Sequence, residues 1–281
     1  MQQRSLEKQP SLSYRIIEFI GTSSLYISLC AASLTAWAQQ YFLDKISYSA
    51  VVLTFSATFL LYNAQRMYLS FFQTKPYSIS KWQHKNKYLL IVLMFLSIAG
   101  LHPLLEISKH NAVIYFISFL LGLFYFLPFS NFRAIPVVKS FTVGLVWILV
   151  CIAAPLEKHP WDAQKIFFCI TQTIFISALC VLFNIRDTEE DRKNNAYSIP
   201  VLFGVQRAKA FNYLILLLYF GLFPWVEFSL KIFLVYFSTF LVSCLFTKKA
   251  SLQNHPFYYT FGVDGVILFQ SLLGILLCNR Y

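Results

Sequence analysis

Phe183 to Gly204 reads FNIRDTEEDRKNNAYSIPVLFG, and it holds four of the chain's 12 acidic residues between Asp187 and Asp191. Asp187 and Asp191 are four apart and Asn184 is three before Asp187, so a helix places all three on one face. Two carboxylates one turn apart suit a Mg2+ ion that keeps few protein oxygens and completes its shell with water and phosphate. Arg186, Arg192 and Lys193 beside them would take the remaining phosphate charge. The same spacing also serves a solvated helix end, because Arg186–Glu190 and Glu189–Lys193 are opposite charges at i, i+4. Both readings stand at this level. An EF-hand does not, since DTEEDRKNNAYS lacks the alternating oxygen ligands, the glycine and the terminal glutamate of that loop.

The elements that must position these residues are membrane helices. The chain is 58% hydrophobic and 12% charged, with mean hydropathy +0.60, against roughly 25% charged in soluble domains. Nine apolar runs, near 16–38, 46–70, 88–105, 111–130, 136–155, 165–184, 211–227, 230–247 and 257–278, approach the ~20 residues that cross a bilayer. The expected fold class is therefore all-α and integral to the membrane, with about nine spans in a single domain over 1–281. Most of the 23 basic residues fall in alternate connectors on the side of the N-terminus. That asymmetry predicts a cytoplasmic N-terminus in the cell membrane, with the acidic stretch also facing the cytoplasm. Ala36-Trp37-Ala38 has the form of a signal-cleavage site, but the run before it exceeds the usual ~7–15 residues and favours a retained helix.

The net charge of +11 is spread over short connectors with no soluble domain to present it, which argues against nucleic acid. Membrane lipid headgroups and a phosphorylated ligand are the expected partners. The six cysteines sit in or beside apolar runs without paired spacing and read as small hydrophobes.

Together with the tail Ser198-Ile199-Pro200-Val201…Gly204, the acidic stretch resembles the second aspartate-rich motif of the UbiA superfamily of membrane prenyltransferases. The connector Tyr125-x-x-Pro128…Arg133…Pro136…Lys139 looks like the same family, so the resemblance spans nearly the whole chain. It implies a UbiA-like bundle in which a polyprenyl diphosphate binds through Mg2+ and yields its isoprenoid to a lipid or aromatic acceptor. Carried onto this sequence, it implies Asp187 and Asp191 as catalytic metal ligands. Arg66, Asn63, Lys193, Arg133, Lys139 and Asn184 are then expected at the diphosphate, and Lys75, Lys81 and Lys85 of the 75–87 connector near it.

The first motif departs from the family. Tyr62 to Ser70 reads YNAQRMYLS, with Asn63, Arg66 and Ser70 where three aspartates are expected. A guanidinium cannot ligate Mg2+ but can grip diphosphate directly. Asp264 lies inside the last apolar run, where an unpaired charge costs about 2.5–3.5 kcal/mol. A salt bridge to Arg66 and a replacement metal ligand are the two expectations for it. The leading function is prenyl transfer. A degenerate member of the fold that binds or presents a lipid is the alternative, and a transporter, with its inverted repeats and deep charges, is the third.

Overall fold

The computed structural model describes residues 11–72, 82–83, 85–105, 109–126, 136–193 and 196–278, and among these the chain is helix and turn with no strand. The helices are α1 (Leu12–Thr22), α2 (Leu25–Leu43), α3 (Tyr48–Phe72), α4 (Lys87–Ala99), α5 (Lys109–Phe126) and α6 (Pro136–Ile148). They continue with α7 (Ala163–Arg186), α8 (Thr188–Lys193), α9 (Ile199–Phe203), α10 (Val205–Gly221), α11 (Phe223–Val226), α12 (Leu230–Lys249) and α13 (Gly265–Cys278). Two π-helical turns interrupt the pattern, Leu149–Ala153 after α6 and Tyr258–Val263 before Asp264 and α13.

The described residues of each of the nine expected apolar runs are mostly helical. Among the described residues six helices are long and apolar enough to cross a membrane, or seven if α1 and α2 count as one bent span. The expected runs 46–70 and 111–130 correspond to α3 and α5. Asn63, Gln65 and Arg66 make the second half of α3 polar, and in α5 the described apolar stretch is Ala112–Gly122.

The 16–38 run is not the single helix its apolarity predicts. The chain turns by 59° between α1 and α2, at Ser24, whose backbone is left-handed (φ 67°). Thr22, Ser23 and Ser24 favour such a break because their hydroxyls compete for backbone partners.

Helix α2 packs on α3 and α13, and α7 packs on α6, α10 and α11. The core between them is aromatic. The Trp37 and Tyr41 rings lie 5.0 and 5.6 Å from that of Phe168, and Tyr219 stacks on Tyr236 at 4.8 Å. At the end of the bundle away from Asp187, Tyr41 donates to Glu227 Oε2 (2.6 Å) and accepts from Gln164 (2.8 Å), so these polar groups are satisfied internally. All six cysteines are free thiols.

The α6–α7 seam relies on a missing side chain. A Cβ on Gly144 would sit 2.6 Å from both Thr173 O and Ser177 Oγ of α7, and small residues are what let membrane helices approach this closely. Gly144→Ala is expected to destabilise the chain by about 1–3 kcal/mol, read as a lower unfolding midpoint in detergent; an unchanged midpoint would show that the seam can open at no cost.

Candidate functional site

The site forms where α7 ends. Asp187 caps α7, its N–H bonding to Phe183 O at 3.0 Å, and Asp191 N–H bonds back to Asp187 O at 2.8 Å, which starts the short α8. Thr188 Oγ1 donates to the carbonyls of Asn184 (3.0 Å) and Ile185 (2.8 Å), closing the end of α7. The two aspartates therefore sit on consecutive turns across a helix break, rather than on one continuous helix face.

Each carboxylate already faces a cation. Arg186 grips Asp187 with two bonds, Nε to Oδ1 at 2.6 Å and Nη2 to Oδ2 at 3.0 Å. Lys139 Nζ lies 3.1 and 3.3 Å from the oxygens of Asp191, a buried residue. Asn184 donates to Ser140 Oγ at 3.0 Å, so two neighbouring residues of α6, Lys139 and Ser140, hold the acidic corner.

The expected Arg186–Glu190 pair does not form. The helix stops before it can bring Glu190 over Arg186, and the guanidinium instead lies over the rings of Phe183 (4.9 Å) and Tyr259 (5.7 Å). Among the described residues Glu189 and Lys193 make no ion pair, and both are exposed.

The first-motif positions have another occupation. Asn63 is fully buried, and its Nδ2 donates to Ser23 O and Phe59 O, both at 2.9 Å. Arg66 Nη1 donates to Thr22 O (3.2 Å) and Ser24 Oγ (3.0 Å), while Ser24 Oγ donates to Asn63 Oδ1 (3.3 Å). Gln83 Nε2 adds a third donor to the break, at 3.2 Å from Thr22 O. These side chains satisfy carbonyls that the end of α1 leaves without helical partners.

Asp264 follows the π-helical turn, a feature frequent at functional sites. It is 8% exposed, and its backbone carbonyl accepts from Cys30 Sγ at 3.3 Å. The expected salt bridge to Arg66 is absent: no described residue comes within 4.0 Å of the carboxylate as an ion-pair partner. Arg66 is turned away by its bonds to the α1–α2 break.

The fold thus gathers Arg186, Asp187, Lys139, Asp191 and Asn184 at the end of α7, while Arg66 is held at the α1–α2 break and Asp264 follows the π-helical turn. Lys193 stands apart at the exposed end of α8, and Lys85 is described without a role here. Arg133, Lys75 and Lys81 lie outside the described residues. Arg186 is the member that sequence reasoning assigned to the wrong partner; the adjacent Asp187 was the available signal. Among the described residues no three His, Cys, Asp or Glu side chains gather as a metal centre, so any ion here would rest on two protein carboxylates at most from this corner. Ser198 of the downstream tail is buried with an unpartnered Oγ, and Gly204 takes φ +82° to turn α9 into α10, a conformation that favours glycine.

The carboxyl of Glu190, beside the two aspartates, is raised. Burial, then the carboxylates of Asp187 and Asp191, raise it from the ordinary 4.5 to about 7 against the opposing pull of Arg186 and Lys193. With the folded value raised, stability from the neutral form is complete below about 4.5 and is lost as pH rises through about 7. Glu190→Gln is therefore expected to melt with the wild type below pH 4.5 and at a higher temperature above pH 7; a gap that does not widen with pH would refute the electrostatic reading.

Comparison with known proteins agrees with this architecture. The model of the UbiA prenyltransferase family matches residues 83–256, whereas no curated protein matches the sequence. Among solved structures, a UbiA homologue from Archaeoglobus fulgidus bound to GPP and Mg2+ superposes with TM-score 0.67 at 13% identity, over 94% of this chain and 100% of that one. A digeranylgeranylglyceryl phosphate synthase gives 0.59 at 11% identity (95% and 100% covered). An apo UbiA homologue from Aeropyrum pernix K1 gives 0.57 at 15% identity (88% and 96% covered). At such identities the structural likeness is one of fold, and with the sequence match over more than half its length it identifies the chain as a member of the UbiA prenyltransferase family.

Proposed function

We propose that this chain is a membrane prenyltransferase that moves an isoprenoid from a polyprenyl diphosphate to a lipid or aromatic acceptor, with Mg2+ as cofactor. The observation that carries the reading is the pairing of Asp187 and Asp191 with two cations, Arg186 and Lys139, at the end of α7. Family membership and the GPP and Mg2+ in the Archaeoglobus fulgidus homologue support it. The same proposal includes nine spans, a single domain over 1–281, a cytoplasmic N-terminus and a place in the cell membrane.

The donor set fits a hard divalent ion, since carboxylate oxygens are its preferred ligands and phosphate and water can complete a site with few protein ligands. Asp187 and Asp191 would hold Mg2+, which when bound supplies positive charge to the phosphate oxygens. The protein's own part is electrostatic. As the bond between the isoprenoid carbon and the diphosphate oxygen breaks, the leaving group gains charge, and Arg186 and Lys139 can exchange carboxylate partners for phosphate oxygens. Cations placed there stabilise the transition state more than the ground state. Asn184, held by Ser140, and Arg133 and Lys193 are assigned to the same anion. The rings of Phe183 and Tyr259, already carrying the Arg186 guanidinium, border the site with faces suited to a neighbouring positive charge.

Loss of carboxylates from the first motif favours a second reading, a member of the fold that binds a lipid diphosphate without turning it over. The deciding experiment is Mg2+-dependent diphosphate release from a series of polyprenyl diphosphates with candidate acceptors, in the wild type, Asp187→Ala and Asp191→Ala. Release in the wild type that falls by about a hundredfold or more in either variant is the expected result. Binding without release, abolished by Asp187→Ala, would establish the lipid-binding reading instead.

A further inference from the structure

Among the described residues eight buried side-chain polar atoms have no hydrogen-bond partner, and four of them lie on one closed circuit of contacts. The Trp37 ring sits 5.0 Å from that of Phe168. One turn further along α7, Gln172 Nε2 donates to the Tyr236 hydroxyl at 3.4 Å, and Tyr236 stacks on Tyr219 at 4.8 Å. Gln270 Nε2 donates to the Tyr219 hydroxyl at 2.6 Å. One turn further along α13 the circuit closes at Gly274, where even a Cβ would collide with Trp37 Nε1. The four atoms are Trp37 Nε1, Gln172 Oε1, Gln270 Oε1 and, between Gln270 and Gly274, Ser271 Oγ. All four residues are fully buried. Gln172 lies roughly 22 Å along α7 from Asp187, at 1.5 Å per residue, so this layer is separate from the acidic corner.

The bonds inside the circuit cannot satisfy those atoms. Thr171 Oγ1 gives its one proton to Phe168 O (2.9 Å), so Tyr236 donates to Thr171 (2.8 Å) and meets Gln172 with a lone pair. That fixes the Gln172 amide nitrogen toward Tyr236 and leaves its carbonyl without a donor. Trp37 has the opposite need, since an indole N–H only donates. A bound cation would answer the two carbonyls and leave the indole unmet; an anion would do the reverse. Water both donates and accepts, brings no charge into a low-dielectric interior, and is the usual partner of buried groups of this kind. From this we infer that the layer bounded by α2, α7, α10, α12 and α13 is a binding site for water, with Trp37, Gln172, Gln270 and Ser271 as its ligands. The bound water links these side chains of α2, α7 and α13, which have no direct bond to one another.

The test is X-ray radiolysis footprinting of the full chain in detergent. A bound water that absorbs the beam yields hydroxyl radical where it sits and oxidises the nearest rings, here Tyr219 and Tyr236. Both should be oxidised although bulk solvent does not reach them, and the oxidation should be lost in Gln172→Leu and in Gln270→Leu. Wild-type protein in which neither tyrosine is oxidised would overturn the inference without any variant having to fold; so would oxidation that persists undiminished in both variants. Replacing Na+ and K+ by N-methylglucamine should leave the wild-type oxidation and unfolding midpoint unchanged. A midpoint that falls on that replacement, with the tyrosines unoxidised, would assign the layer to an alkali cation and overturn the water site.

Discussion

The hydrogen bonds from Arg66 and Asn63 to the carbonyls of Thr22 and Ser23 are the contact on which the rest of the site depends. In hydrocarbon, a helix that ends must have its last carbonyls satisfied by protein, because no water is there to do it. Here α1 ends within the 16–38 run, at the 59° turn into α2. The donors come from α3, and they are an amide and a guanidinium. Asn63 and Arg66 supply the donors that a broken first span requires.

Charge balance follows the same logic on the other side of the site. Arg186 with Asp187, and Lys139 with Asp191, form two near-neutral pairs, of which the first is partly and the second largely withdrawn from solvent. Such pairs cost desolvation that their attraction only partly returns. They are economical as a waiting arrangement, however, since an arriving anion can take over the cations while an arriving divalent ion takes over the carboxylates. Neither charge is ever left alone in a low-dielectric interior.

How much of this was legible in the sequence divides along the range of the interactions. Apolarity located the six helices that are long and apolar enough to span among the described residues, since burial in lipid is written into consecutive residues. The acidic corner was legible as composition; the family resemblance implied Lys139 at the diphosphate, and its pairing with Asp191, 52 residues away, was not legible. The α1–α2 break was not legible. Thr22, Ser23 and Ser24 are visible as polar positions, but they become a break only when Asn63 and Arg66 arrive from about 40 residues away. Arg186 was misassigned for a local reason. Spacing of four assumes that the helix continues, and Asp187 ends it.

Gly144 and Lys139 lie on the same helix, five residues apart, roughly 7.5 Å along the axis at 1.5 Å per residue. One helix therefore carries both a close seam of the bundle and the cation that meets Asp191, so the packing at Gly144 sets where the Lys139 ammonium stands.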